Sequence, residues 1–139
     1  MRSSGFGTNA VIKDMNGDTW NDIVKSENGP VEIFNNAGNG FFDILDDTYT
    51  GAAYHVGVDD LNEDGKMDLV ISDDGVDRVL YNAGNGVNGM ADFSTFTLPT
   101  STDGFGSNSY FVDLDGHGWN DVLIADVDVD LAGCDRTAD

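Results

Sequence analysis

The sequence predicts an all-β fold built from repeated units of about four short antiparallel strands. Three observations carry that prediction. First, Asp14-Met-Asn16-Gly-Asp18-Thr-Trp-Asn-Asp22, Asp60-Leu-Asn62-Glu-Asp64-Gly-Lys-Met-Asp68 and Asp113-Leu-Asp115-Gly-His117-Gly-Trp-Asn-Asp121 are three copies of one nine-residue pattern, each running into an apolar stretch. Second, Asn36-Ala-Gly-Asn-Gly40 recurs as Asn82-Ala-Gly-Asn-Gly86, at the same spacing of 46 residues that separates Asp14 from Asp60. Two independent markers in step indicate an internal repeat. Third, of 26 acidic residues 23 are Asp and 3 are Glu, alongside 18 Gly and 13 Asn. Asp, Asn and Gly favour turns and caps, whereas a helical acidic protein would use Glu.

The elements follow in order. In the first unit, strands at residues 8–12, 23–25, 31–34 and 41–45 are separated by the first acidic loop, by the turn Glu27-Asn28-Gly29-Pro30, and by the Asn-Ala-Gly-Asn-Gly turn. In the second, strands at 53–58, 69–72, 79–81 and 93–98 flank the second acidic loop and the turn at 73–77. In the third, strands at 109–112 and 122–124 flank the third loop, and Asp126, Asp128 and Asp130 alternate with valines, either as a strand with one acidic face or as a supplementary cation site shared with the third loop. No segment sustains a helical apolar period. From Asp60 to Asp113 is 53 residues, so about seven extra residues sit near 87–92. Units of this length match single propeller blades. The expectation is an incomplete β-propeller of about 2.5–3 blades, with repeats at 1–46, 47–99 and 100–139, the last incomplete.

Each loop places carboxylate or amide oxygens at positions 1, 3, 5 and 9, with a backbone carbonyl available at position 7. A tightly curled loop with that spacing offers several hard oxygen ligands, which suits Ca²⁺. No sulfur is present, and only the third loop offers a nitrogen, from His117, so zinc or copper is disfavoured. Three carboxylates crowded in one loop also repel one another without a cation. An EF-hand would place Glu at position 12; here that position holds Lys25, Ile71 and Ile124, inside apolar strands.

The Asp-x-Asn/Asp-x-Asp-x-x-x-Asp loop running into a strand resembles the FG-GAP/VCBS repeats of integrin α-subunit β-propellers and of many secreted bacterial proteins. Phe6-Gly7 and Phe105-Gly106, each eight residues before its loop, agree with that family; the second unit has Ala52-Ala53 there. The resemblance implies Ca²⁺ at Asp14, Asn16, Asp18 and Asp22, at Asp60, Asn62, Asp64 and Asp68, and at Asp113, Asp115 and Asp121. It assigns position-7 carbonyls to Trp20, Lys66 and Trp119. Position 6 favours glycine. Gly65 and Gly118 satisfy it and Thr19 does not, while His117 replaces an oxygen ligand in the third loop. The expected affinity order is loop two, loop one, loop three.

A formal charge of −20 repels phosphate backbones and argues against nucleic-acid binding. No apolar run is long enough to span a membrane, and the first residues lack the apolar core of a signal peptide. Cys134 alone makes no internal disulfide. His55 is expected to pack at a strand, and Trp20 and Trp119 to pack at blade edges rather than face a metal. No Ser/His/Asp or Cys/His constellation and no phosphate loop emerges. The functional expectation is a non-enzymatic, calcium-stabilised extracellular module for adhesion to a protein or glycan. The alternative is a lectin or the propeller of a secreted polysaccharide-active enzyme. The blade shortfall is read as a piece of a longer propeller, or else as chains that associate to complete a ring.

Overall fold

In the computed structural model, residues 9–27, 29–44, 49–85, 91–97 and 104–128 are described. They contain strands and loops and no helix: β1 (Asn9–Lys13), β2 (Asp22–Ser26), β3 (Gly29–Asn36), β4 (Phe42–Ile44), β5 (Tyr49–Ala53), β6 (His55–Asp59), β7 (Asp68–Ser72), β8 (Asp74–Gly75), β9 (Arg78–Asn85), β10 (Ala91–Thr97), β11 (Gly104–Val112) and β12 (Asp121–Asp128). Every β-bridge is antiparallel, in three small sheets of order β1-β2-β3-β4, β10-β9-β7-β6 and β12-β11-β8. The first two are the expected four-stranded blades. The third holds the two strands around the third acidic loop.

Two short strands depart from the sequence reading. β5 pairs with β3 through Gly29↔Ala53 and Val31↔Tyr49, beside the end of β3 that β4 leaves free. Together β4 and β5 serve as one interrupted fourth strand, so the first sheet runs on past residue 46. β8 lies within the 73–77 segment, which composition marks only as a turn. It pairs with β11 through Gly104↔Gly75 and Phe105↔Asp74, so the tip of the second sheet's hairpin becomes the edge of the third sheet.

Period-2 alternation explains how the sheets stack. In β2, Asp22, Val24 and Ser26 are buried and Ile23 and Lys25 half-buried. In β7 all five residues are buried, because a sheet covers each face. Met15, Val24, Val31 and Ile33 from the first sheet meet Val56, Val58, Leu69, Ile71 and Leu80 from the second, forming the core. The second and third sheets meet at Gly57. A Cβ there would lie 2.2 Å from Ser109 Oγ and 2.6 Å from Phe111 Cζ, so only glycine admits β11 this closely.

Side chains lock these interfaces in register. Asn9 behaves like a short piece of backbone: its Nδ2 donates to the Val56 carbonyl (2.8 Å) and its Oδ1 accepts the Val56 N–H (3.0 Å). Ser26 Oγ donates to the same Oδ1 at 2.6 Å. His55 stands at the equivalent place in the second unit, also five residues ahead of the loop, and its Nδ1 meets Ser109 Oγ at 3.3 Å. Burial holds the His55 imidazole below its ordinary pKa.

Phe6, Gly7, Asn28, Asp130 and Cys134 lie outside the described residues, as does most of the 87–92 insertion.

Candidate metal centres

The three acidic loops occupy equivalent places, each joining the first and second strands of its sheet: β1 to β2, β6 to β7 and β11 to β12. Apolar strands fix both ends of each loop, so its curl is set by the sheet behind it.

The curl is held by carboxylates that accept backbone N–H groups. At position 1, Asp14 Oδ1 accepts Gly17 N–H at 2.8 Å and Oδ2 accepts Thr19 N–H at 2.8 Å. Asp60 accepts the N–H groups of Asp64 (3.1 Å) and Gly65 (2.9 Å), and Asp113 those of Gly116 (2.7 Å) and Gly118 (2.8 Å). Those two bonds hold the Asp113 carboxyl below its ordinary pKa, with a smaller contribution from the nearby His117. At position 3, Asn16 and Asn62 accept the N–H of position 5 at 3.0 and 3.1 Å, and Asp115 accepts that of His117 at 3.1 Å. At position 5, Asp18 and Asp64 accept the N–H of position 7 at 2.8 and 3.0 Å. His117 does the same with Nδ1, accepting Trp119 N–H at 3.1 Å, so its imidazole nitrogen sits where the other loops hold a carboxylate oxygen.

Position 9 ties each loop shut. Asp22 accepts Met15 N–H on one oxygen (2.8 Å) and Asn36 N–H on the other (2.9 Å). Asp68 repeats this with Leu61 (2.9 Å) and Asn82 (2.8 Å), and Asp121 accepts Leu114 N–H at 3.0 Å. Asp22 and Asp68 are fully buried, and desolvation, reinforced by the neighbouring carboxylates of their own loops, raises both pKa values despite the backbone bonds.

Two features were not legible from the loop spacing. Position 4 has positive φ along with position 6: Gly17 (76°), Glu63 (56°) and Gly116 (78°) at the former, Thr19 (76°), Gly65 (83°) and Gly118 (99°) at the latter. Asn36 and Asn82, visible in the sequence as repeat markers, are ties between elements. Asn36 Nδ2 donates to Asn21 O (3.1 Å), while Asn82 donates to Met67 O (3.1 Å) and, across the sheet interface, to Met15 O (2.9 Å).

The side chains at position 7 cover the second marker. The Trp20 indole lies over Gly38, where a Cβ would approach Cε2 to 2.6 Å, and the Lys66 stem lies over Gly84 while its ammonium bonds Asp64 at 2.7 Å. The bond from Lys66 holds the exposed Asp64 carboxyl below its ordinary pKa. Trp119 packs edge-on against His117. Trp20 and Trp119 are both about half exposed. Loops one and two face each other across a cleft of about 390 Å³ walled by Asp14, Asn16, Lys66, Met67 and Asn82.

The donor set of loops one and two is all oxygen and fits a hard divalent cation. Loop three differs. Asp113, Asp115 and His117 bring one ligand atom each within 4.8 Å of one another, two oxygens and one nitrogen, with His117 Nδ1 3.4 Å from Asp115 Oδ1.

Residues 60–124 match the family model described as an FG-GAP-like repeat. The matched stretch runs from the first aspartate of loop two to Ile124, in the strand behind loop three, and takes in β7 to β11 and the first half of β12. The resemblance read from the loops is thus found in this part of the chain. No curated protein matches the chain.

Proposed function

From a chain whose residues 60–124 carry an FG-GAP-like repeat, we propose a calcium-stabilised β-propeller-type module that presents a rigid rim for recognition of a protein or glycan outside the cell. The observation that carries this reading is the wiring that loops one and two share. In both, Asp at position 1, Asn at position 3 and Asp at position 5 are oriented by backbone N–H groups before any cation arrives. Asp14, Asn16, Asp18 and Asp22 would hold one ion and Asp60, Asn62, Asp64 and Asp68 another. Asp113, Asp115 and Asp121 would form a weaker third site beside His117. The cation's chemistry there is structural: it neutralises crowded carboxylates, among them Asp22 and Asp68, whose pKa values are raised by burial and, to a smaller extent, by the neighbouring acids. The chain's own residues then set the shape of the cleft between loops one and two, where a ligand would meet Asp14, Asn16 and Lys66.

No group in these loops has the arrangement of a nucleophile with its base, so the module is read as binding without catalysis. A ligand that binds only the folded state stabilises it by RT ln(1 + [L]/Kd). The expected outcome is a melting temperature several degrees lower in EDTA, restored by Ca²⁺ more fully than by Mg²⁺. An identical melt in EDTA and in millimolar Ca²⁺ removes the calcium reading. Binding to a glycan array, or turnover of an acidic polysaccharide, would shift the module toward the lectin or the enzyme-associated propeller.

A further inference from the structure

The side-chain oxygens at positions 1, 3, 5 and 9 of loop two can be followed one by one. Asp60 Oδ1 accepts Asp64 N–H, and its Oδ2 accepts Gly65 N–H. Asn62 Oδ1 accepts Asp64 N–H, and Asp64 Oδ1 accepts Lys66 N–H. Asp68 gives one oxygen to Asn82 N–H and the other to Leu61 N–H. Among the described residues, Asp64 Oδ2 is the one oxygen of the set that no backbone N–H holds. It accepts the Lys66 ammonium instead, at 2.7 Å. A hard cation in a loop of this spacing takes a carboxylate oxygen from position 5. The oxygen that the backbone leaves open for it is the one that carries the ammonium.

Loop one has the same pattern without the charge. Asp18 Oδ1 accepts Trp20 N–H, and Oδ2 accepts the neutral amide of Asn16 at 3.2 Å. Position 7 is Trp20 there, whose indole covers Gly38 as the Lys66 stem covers Gly84. The two position-7 side chains share one packing role, and lysine alone adds a cation at its end. A Cβ on Gly84 would lie 3.4 Å from Lys66 Cε, so the stem is seated along most of its length close to the tip. That seat keeps the ammonium beside the loop. Asp64 is exposed and Lys66 half-buried, so an ion from solvent can reach the pair.

We propose that Lys66 is a built-in counter-cation of loop two, whose ammonium holds the oxygen that a divalent ion takes, so that the ion binds by displacing it from Asp64. The inference rests on the calcium reading above and adds a residue that sets how much calcium loop two requires. Without the ion, the ammonium offsets part of the repulsion among Asp60, Asp64 and Asp68. With the ion, it loses its partner and stands near a like charge. Both effects lower the affinity of loop two below what its oxygens alone would give. The indole of loop one competes with nothing, so the two loops respond to calcium under separate control. Lys66 also walls the cleft between them, and loading loop two therefore changes the charge that the cleft offers to a ligand.

The experiment is a calcium titration of the intact chain followed by amide NMR, on wild type, Lys66→Met and Lys66→Arg. Methionine keeps an unbranched stem over Gly84 and drops the ammonium, arginine keeps the charge, and the spectra themselves report whether the sheets persist. Gly65 N–H, bonded to Asp60, reads loop two, and Gly17 N–H, bonded to Asp14, reads loop one. In Lys66→Met the Gly65 midpoint is expected at about fivefold less calcium, the equilibrium value of an ion pair at the protein surface. The Gly17 midpoint should stay where it is, and Lys66→Arg should titrate like wild type. In wild type the ε-methylene resonance of Lys66 should move at the Gly65 midpoint. A Gly65 midpoint that methionine leaves unchanged overturns the inference. So does an equal shift at Gly17, which would be a general effect of net charge, and so do an arginine variant that titrates like the methionine one and an ε-methylene that does not follow Gly65. Failure of the calcium reading has its own signature: neither Gly65 nor Gly17 responds to millimolar calcium in any of the three proteins, and the inference falls with it.

Discussion

Thr19 shows what a single residue contributes to a loop and how far a sequence reveals it. It holds φ of 76° where loops two and three have Gly65 and Gly118. A left-handed backbone costs an L-residue about 1–2 kcal/mol, and a β-branched side chain accommodates it poorly. Glycine returns part of that gain through its freedom in the unfolded chain. Thr19→Gly is therefore expected to stabilise the protein by about 1 kcal/mol, read as a higher denaturant midpoint at unchanged slope; a lower midpoint would show that the threonine side chain makes a compensating contact. This position was legible because two copies out of three carry glycine. Position 4 was not, because Glu63 at φ 56° breaks the glycine pattern set by Gly17 and Gly116. His117 was legible as an exception, but that its Nδ1 takes over the backbone bond of a carboxylate oxygen depends on ring orientation, which spacing does not carry.

At the scale of elements, the aspartate at position 9 does two jobs. Asp68 caps the start of its own loop through Leu61 and fastens the middle of β9 through Asn82, both with oxygens buried in the sheet. Asp68→Asn removes a charge that burial disfavours, yet it sets an amide N–H₂ against one of two N–H donors. Leaving a buried donor unmet costs about 1–3 kcal/mol. The variant is expected to melt lower than wild type at neutral pH in EDTA, where loss of metal plays no part. Equal or greater stability would mean that relief of the buried charge outweighs the lost bond. The sequence marks Asp22 and Asp68 as acidic loop ends, but their partners Asn36 and Asn82 lie 14 residues further on, across a strand and a turn. Strands such as β2 and β7 are readable from their apolar runs. β8 is two residues long and β5 contains Gly51 beside two alanines, so neither offers an alternating pattern to read.

For the whole molecule, the repeat predicted the order and number of sheets, and the registers between them came only from the structure. Asn9 and His55 fill one position of the repeat with different chemistry. Folding lowers the His55 pKa, so below about pH 6.5, the ordinary value, the unfolded chain takes up a proton that the folded chain refuses. Stability contributed at this site is complete above pH 6.5 and declines as pH falls toward the depressed folded value. Asp22 and Asp68, with raised values, act in the opposite sense at lower pH. Comparing melting temperatures of wild type and His55→Asn from pH 8 to pH 5 isolates the histidine: the gap between the two is expected to move in favour of the variant on acidification, and parallel curves would refute it. In a stacked array, stability is a sum of unit and neighbour terms, and the pairing of β8 with β11 turns one neighbour term into backbone hydrogen bonds. Local opening is bounded by such bonds. A fluctuation that frees β11 must also release the tip of the β7–β9 hairpin, so in amide-exchange terms the second and third sheets share a cooperative unit whose border falls inside a strand connection rather than between repeats.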